Sequence, residues 1–180
     1  MRIIAGNLGG RQFESPHGHR THPMAEKVRG GLFNALGDIE GLTVLDAFAG
    51  SGALSFEAMS RGAASSVAVD IDKGANTTIV KNIRDLGLKT RVKAIRASIS
   101  GWLETDQSST FDLIFADPPY DAVQENVLAK LADRLNPGGV IVYSLPPTST
   151  FRLPATSHQN LATKTYGDAT LHFYRENARV

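Results

Sequence analysis

The sequence contains no cysteine, so neither a disulfide bond nor a thiolate metal site can stabilise the fold. It has no apolar run that approaches the ~20 residues of a membrane span, and the apolar stretch at its start is too short for a signal peptide. His17, His19 and His22 have no cysteine or acidic partner at ligand spacing, so we predict no metal. These absences favour a cytoplasmic protein without a membrane partner.

Charge is nearly balanced, because 19 lysines and arginines oppose 18 acidic residues and leave a net charge of +1. The whole molecule is therefore not a polycation that coats nucleic acid. The first 30 residues nevertheless carry five cations and only two acids, a surplus of three. We predict that this N-terminal segment contacts an anionic partner.

From residue 43 onward, the sequence alternates short apolar runs with longer amphipathic stretches. This order is typical of βαβ units and predicts an α/β fold with a mostly parallel sheet, in a single domain over residues 1–180. We expect a hairpin and basic loop over 1–22, a leading helix over 23–37 and a Rossmann-like core over 43–180. The predicted strands are 43–48, 66–71, 91–95, 111–116, 140–145, 161–166 and 169–174. The predicted helices are 53–61, 73–86, 99–103 and 122–135, and an Asn-Pro-Gly-Gly sequence ends the last of them.

A glycine turn follows the first predicted strand. Gly50 and Gly52 allow a tight turn at the carboxyl end of that strand, where open α/β sheets bind their cofactors. Asp70 falls 20 residues after Gly50, where a carboxylate can accept hydrogen bonds from both hydroxyls of a ribose. Ser55 replaces the third glycine of the dinucleotide fingerprint, and Asp46 would repel a pyrophosphate but attract an ammonium or sulfonium group. The pattern favours a positively charged, adenosine-containing ligand over a nicotinamide dinucleotide.

A second motif, Asp117-Pro118-Pro119-Tyr120, ends the fourth predicted strand. The exocyclic amine of a nucleic-acid base is a poor nucleophile because its lone pair is delocalised into the ring. The Asp117 carboxylate and the Pro118 carbonyl can accept both amine hydrogens, which localises that pair and stabilises the charge that develops during methyl transfer. Tyr120 offers a face on which a flipped-out base can stack. We predict that these four residues are catalytic.

The sequence resembles the bacterial 16S ribosomal RNA guanine-N2 methyltransferases of the RsmD type. The likeness includes RIIAG at 2–6, LDAFAGSGAL at 45–54, EAMSRGA at 57–63, DPPY at 117–120 and YGD at 166–168. The glycine turn and the DPPY motif indicate an amino methyltransferase in general. The N-terminal segment singles out this family.

The resemblance implies S-adenosylmethionine as the cofactor and a class I methyltransferase sheet of order 3-2-1-4-5-7-6 with an antiparallel last strand. It also implies 16S ribosomal RNA as the partner, within a small-subunit particle or an assembly intermediate. The residues implied to line the cofactor are Asp46, Phe48, Ala49, Gly50, Ser51, Gly52, Asp70, Ile71, Ser98 and Asp117. Those predicted to contact the RNA are Arg2, Arg11, Arg20, His22 and Arg29.

The chain departs from the family pattern at three places. His22-Pro23-Met24 stands where the family has Arg-Pro-Thr, Ser98 where an Asp or Asn meets the adenine amine, and Ser144 where a Glu commonly follows the fifth strand.

Two alternatives remain open. A DNA or RNA adenine-N6 or cytosine-N4 methyltransferase would use the same amine-binding loop, although a DNA enzyme would normally need a target-recognition domain for which 180 residues leave no room. A catalytically silent RNA-binding or assembly factor is the more distant alternative, and the intact DPPY motif argues against it.

Overall fold

The computed structural model describes residues 1–16 and 24–177, and the chain divides into two compact units, Met1–Ile99 and Ser100–Val180. The strands form a seven-stranded sheet in the order β3-β2-β1-β4-β5-β7-β6, as the resemblance implies. In the described part of the chain, no helix has both the length and the apolar character to cross a membrane. The helices are α1 Glu26–Leu36, α2 Ala53–Ser60, α3 Lys73–Asp85, α4 Ile99–Thr105 and α5 Glu125–Ala132. The strands are β1 Thr43–Asp46, β2 Ser65–Asp70, β3 Val92–Arg96, β4 Phe111–Ala116, β5 Leu135–Leu145, β6 His158–Tyr166 and β7 Ala169–Glu176.

The first unit is built on three parallel strands. β2 pairs with β1 on one side and with β3 on the other, in registers that place Asp70 opposite Arg96 at the carboxyl ends. α2 is buried along its whole length, whereas α3 is amphipathic and buries the face that carries Ala75 and Ile79. The Asp72 side chain caps α3 by accepting a hydrogen bond from the Ala75 N–H at 2.8 Å.

A buried carboxylate seats the N-terminal segment on α2. Glu57, which is fully buried, accepts hydrogen bonds from the backbone N–H groups of Ile4 at 2.8 Å and Ala5 at 3.1 Å. Gly6, with a φ of 81°, passes so close to Ser60 that a Cβ at this position would overlap the Ser60 backbone. The N-terminal segment is therefore part of the packed first unit.

Three predicted boundaries in or near this unit differ from the structure. The predicted hairpin forms but is short: Arg2 pairs with Gln12, and the Ile3 N–H donates to the Arg11 carbonyl at 2.9 Å, whereas the N–H groups of Ile4 and Ala5 donate to α2. α1 begins at Glu26, and the expected start at position 23 lies outside the described residues. β1 ends at Asp46, two residues before the predicted end, because the chain there enters the glycine turn.

The second unit pairs β4 with β5 in parallel and β7 with both β5 and β6 in antiparallel. The predicted helix over 122–135 is too long, because α5 covers only Glu125–Ala132. The Asn-Pro-Gly-Gly sequence does not end that helix; it forms a bulge inside β5, where the register moves from Phe111↔Leu135 to Leu113↔Val140. The Asn136 amide donates to the carboxylate of Asp112 at 2.7 Å, which ties the bulge to β4. β6 also starts three residues earlier than predicted, since its pairing with β7 extends to His158.

Candidate functional site

The glycine turn after β1 has the backbone that the sequence predicts. Gly50, with a φ of 52°, and Gly52, with a φ of 78°, both adopt the left-handed conformation that favours glycine. A Cβ on Gly52 would lie 2.8 Å from the Phe56 ring, so the close approach at this position is to the chain's own core. The Ala49 N–H donates to the Val69 carbonyl at 3.0 Å and fixes the turn against the end of β2.

Asp70 joins this turn to the loop after β2. One of its carboxylate oxygens accepts the Gly50 N–H at 2.7 Å, and the other accepts the Asp72 N–H at 2.8 Å. A carboxylate oxygen has two acceptor sites, so each can still receive a ligand hydroxyl. Asp70 is half-buried, whereas the next residue, Ile71, leaves 67% of its surface exposed. The two Asp70 oxygens are fixed acceptors beside the exposed apolar side chain of Ile71. This arrangement suits a ligand that carries two hydroxyls and a flat apolar group.

Of the remaining residues implied to line the cofactor, all except Asp117 lie in the same unit, and they differ in exposure. The loop after β3 meets Asp70, because the Ala97 N–H donates to the Asp70 carbonyl at 3.1 Å. Ser98 follows directly. Ala49, Ser51 and Gly52 are buried, and Phe48, Gly50 and Ser98 are half-buried.

Asp46 occupies the buried interior of the turn. It is 1% exposed, and it accepts hydrogen bonds from the Ser55 N–H at 3.1 Å and the Ser55 hydroxyl at 2.9 Å. The Ser66 hydroxyl in turn donates to the Ser55 oxygen at 3.0 Å. Since Ser55 belongs to the first turn of α2, the carboxylate caps that helix and complements its dipole. These contacts stabilise the turn, and the predicted attraction of a positively charged ligand stays a prediction.

In the second unit, a serine links the two polar side chains of the DPPY motif. Ser144 is 3% exposed on β5; it hydrogen-bonds to the Asp117 carboxylate, and its hydroxyl oxygen lies 3.3 Å from the hydroxyl oxygen of Tyr120. An ionised carboxylate only accepts, so the single Ser144 proton is donated to Asp117 and the Tyr120 hydroxyl donates to Ser144. Tyr120, Ser144 and Asp117 therefore form a directional hydrogen-bond chain.

The electrostatics of this chain favour proton-transfer chemistry near neutral pH. Burial raises the pKa of Asp117 from 3.8 to about 6, against the opposing effect of the Ser144 hydrogen bond. Burial also raises the pKa of Tyr120, which Ser144 opposes and the charges of Asp117 and Asp168 reinforce. Carboxylates with strongly perturbed pKa values in a polar cluster are typical of functional sites.

The backbone of the DPPY loop leaves its aromatic ring accessible. Pro118 is buried, whereas Pro119 is exposed and Tyr120 leaves 38% of its surface open to solvent. The Pro119 carbonyl accepts the Ala122 N–H at 3.0 Å, which closes the loop. The Pro118 carbonyl stays a predicted acceptor for a substrate amine.

The structure corrects the predicted RNA contact of Arg29. This side chain is 0% exposed, donates to the Arg2 carbonyl at 2.7 Å and lies 3.7 Å from the Glu57 carboxylate. Burial lowers the pKa of Arg29, and the charge of Glu57 opposes that effect. Arg29 therefore compensates the charge of the buried Glu57, and its side chain is not accessible to a phosphate.

Arg2 and Arg11 are exposed, but both already have partners. Arg2 pairs with Glu26 at 3.0 Å, and Arg11 donates to backbone carbonyls at the end of α3. Arg20 and His22 lie outside the described residues.

The contacts that Ser144 and Glu57 make with other parts of the chain were not predicted from the sequence. Each had a sequence signal, because Ser144 interrupts an apolar strand run and Glu57 is the only acid in a helix that is otherwise apolar or small. Within residues 1–16 and 24–177, no three His, Cys, Asp or Glu side chains group as metal ligands.

The strand order, the antiparallel last strand and the glycine turn with its acid define the class I, Rossmann-like methyltransferase fold. The Escherichia coli protein yhhF matches this structure with a TM-score of 0.88 at 27% identity, over 99% of both chains. The protein SMU.776, solved in complex with SAH, matches with a TM-score of 0.70 over 83% of this chain and 48% of that one. At 18% identity this likeness shows the fold alone.

A family model described as conserved hypothetical protein 95 matches residues 1–175, and the chain belongs to this family. Ribosomal RNA small subunit methyltransferase D of Buchnera aphidicola is 40% identical over 119 residues, which cover 66% of this chain and 62% of that protein. The Escherichia coli K12 protein of the same name is 32% identical over 121 residues, which cover 67% and 60%. The match thus spans less than two thirds of these relatives. The resemblance to the RsmD type is confirmed.

Proposed function

We propose that the protein transfers the methyl group of S-adenosylmethionine to the exocyclic N2 amine of a guanine in 16S ribosomal RNA. The observation that carries this proposal is the chain from Tyr120 through Ser144 to Asp117, a carboxylate with a pKa of about 6 beside an accessible aromatic ring. The names of the curated relatives support ribosomal RNA as the substrate. The SAH complex of a protein with the same fold supports the cofactor.

The first unit fits the cofactor. Asp70 would receive the two ribose hydroxyls on the free acceptor sites of its oxygens, and Ile71 would pack against the adenine. Bound S-adenosylmethionine would supply an electrophilic methyl group. The strand order changes direction after β1, and open α/β sheets bind ligands outside the carboxyl ends of their strands at such a point.

The second unit fits the amine. Asp117 is ionised at neutral pH and accepts one amine hydrogen, which directs the nitrogen lone pair away from the ring and stabilises positive charge as the N–C bond forms. The methylated amine then loses a proton, which Asp117 can accept because its pKa is close to neutral. Tyr120 stacks on the extruded base, a contact worth about 1–3 kcal/mol.

The rival amine substrates would use the same acceptors, because adenine and cytosine also carry exocyclic amines. The relatives' names favour ribosomal RNA over DNA. A silent assembly factor would gain nothing from Asp117, since a partly buried carboxylate with a raised pKa costs stability at neutral pH.

Single-turnover transfer of a labelled methyl group from S-adenosylmethionine into 16S RNA tests the proposal. We expect Asp117→Ala to lower the rate by about 100- to 1000-fold, with a smaller effect on cofactor affinity measured by calorimetry. The matched control is Asp133→Ala, which removes an exposed acid at the end of α5 and should retain the wild-type rate. A normal rate for the Asp117 variant, or label in protein rather than RNA, would refute the proposal.

A further inference from the structure

Positive charge is concentrated in α3, β3 and the loop between them. Residues 73–96 contain seven of the 19 lysines and arginines and a single acid, in a chain whose net charge is +1. This surplus of six exceeds the surplus of three over the first 30 residues, which carried the prediction of an anionic partner. The seventh cation, Arg91, donates to the backbone carbonyls of Ala63 and Ala64. We call the other six, Lys73, Lys81, Arg84, Lys89, Lys93 and Arg96, the α3–β3 basic surface.

Most of this charge lies on one side of the first unit. Lys81, Arg84 and Lys89 line an open groove of about 680 Å³, together with the apolar side chains of Val80 and Val92. The other lining residues are Thr77, Ile83 and Ala94. Lys73 falls on the same helical face as Thr77 and Lys81, since residues four apart are neighbours on a helix. Arg96 shares the strand face of Val92 and Ala94, because alternate residues of a strand point to the same side.

Four of the six cations are not neutralised by the described residues. Lys81 pairs with Glu14, and Arg84 pairs with Asp85 at 3.1 Å. Lys73, Lys89, Lys93 and Arg96 are all exposed, and within residues 1–16 and 24–177 they have no ion pair or hydrogen bond from their side chains. Exposed like charges repel each other, so their clustering is unfavourable in the free protein. In a nearly neutral protein, such a cluster indicates a binding surface for a polyanionic partner.

Arg11 connects the N-terminal segment to this surface. Its guanidinium donates to the carbonyl of Asp85 at 2.9 Å and to that of Leu86 at 3.2 Å, at the C-terminal end of α3. Arg2 is paired and Arg29 is buried. A stretch of exposed positive charge therefore extends from Arg11 along α3 to β3.

We propose that the α3–β3 basic surface binds the phosphodiester backbone of the RNA substrate and supplies most of the salt-dependent affinity. This inference rests on the proposed function, because it names where the RNA of that reaction is held. Each phosphate contact releases counterions, so each contributes roughly 0.7–0.9 to the slope of log affinity against log salt. Lys73 lies three residues beyond Asp70, so the surface begins beside the proposed cofactor residues.

The test is a salt titration of binding to 16S RNA transcribed in vitro, with a charge-neutralising triple variant. Lys73→Gln, Lys89→Gln and Arg96→Gln remove exposed cations without described partners, so we expect the fold to persist. The slope should fall by about two units, and affinity near 0.1 M salt should fall at least about tenfold. S-adenosylmethionine affinity and the thermal unfolding temperature should not change.

A second triple variant controls for net charge. Lys130→Gln, Lys164→Gln and Arg175→Gln remove the same charge from exposed positions of the second unit, and the slope should change by less than about half a unit. Equal losses in the two triple variants, or an unchanged slope in the first, would overturn the inference. Binding of poly-L-glutamate as tight as that of RNA would also overturn it, since it would indicate an acidic protein as the partner.

Failure of the inference and failure of the proposed function give different results. RNA binding that depends on the α3–β3 basic surface, without methyl transfer by the wild-type protein, would contradict the proposed function alone. Methyl transfer to RNA with no dependence of binding on this surface would contradict the inference alone.

Discussion

Replacing Ser144 by alanine should raise the pKa of Asp117 and move the acid limb of methyl transfer to higher pH. Ser144 is 3% exposed, and its hydroxyl donates to the Asp117 carboxylate, whose pKa is about 6. A hydrogen bond to a charged group contributes about 1.5–3 kcal/mol, and one pKa unit corresponds to about 1.36 kcal/mol. Because the lost bond stabilised the ionised form, the pKa should rise by roughly one to two units.

The assay is single-turnover methyl transfer at saturating cofactor from about pH 5 to pH 9, which reports the ionisation of the bound enzyme. We expect the wild-type rate to rise through a midpoint near the Asp117 pKa of about 6. The Ser144→Ala midpoint should lie roughly one to two units higher, with a similar plateau rate. Carbon NMR of labelled aspartate should show the same displacement for the Asp117 carboxyl in the absence of RNA.

Two further variants separate this effect from a structural one. Ser144→Thr keeps the hydroxyl and should restore the wild-type profile. Ser109→Ala removes a serine hydroxyl that donates to Asp106 at 2.7 Å, in the loop before β4. This variant should have the same pH profile as the wild type. A Ser144→Ala protein with lower activity but an unmoved midpoint would refute the reasoning, since only packing would then have changed.

The remaining predictions concern the cofactor and the stability of the fold. Asp70→Ala should weaken S-adenosylmethionine binding by about 1.5–3 kcal/mol, measured by calorimetry; unchanged affinity would remove Asp70 from the cofactor site. The pKa of Asp117 is raised from 3.8 to about 6 in the folded protein, so its stability contribution is present below about pH 4 and lost as pH rises through about 6. Asp117→Asn should therefore stabilise the protein by about 2–3 kcal/mol in urea unfolding at neutral pH, and equal stability at that pH would contradict the burial argument. Arg29→Ala leaves the buried Glu57 without one of its cations and should cost about 3–5 kcal/mol, against less than about 1 kcal/mol for Arg2→Ala at an exposed pair.

The sequence predicted the local structure best where it depends on the backbone conformation of a single residue type, such as glycine. Gly50 and Gly52 were predicted to turn tightly, and both adopt positive φ. The Asn-Pro-Gly-Gly sequence misled because the same residues suit a helix stop and a strand bulge. Its pairing with Asp112, 24 residues away, decides between them, and that contact exists only in the folded sheet.

The candidate site shows the same limit. The chemistry of Asp117 and Tyr120 could be predicted from residue type and position after a strand. The role of Ser144 could not, because its partners lie on a different strand and loop. Arg29 was predicted to be a surface cation for a similar reason, since only the fold brings the buried Glu57 beside it.

The most direct test of the account is the identity of the methylated nucleoside. The wild-type protein is incubated with methyl-labelled S-adenosylmethionine and either unmodified 16S RNA or small ribosomal subunits, and the RNA is digested to nucleosides and separated by mass. We expect the label in N2-methylguanosine, and its loss in the Asp117→Ala protein. Label in N6-methyladenosine or N4-methylcytosine would contradict the proposed substrate amine, and the absence of label from both RNA preparations would contradict the proposed activity.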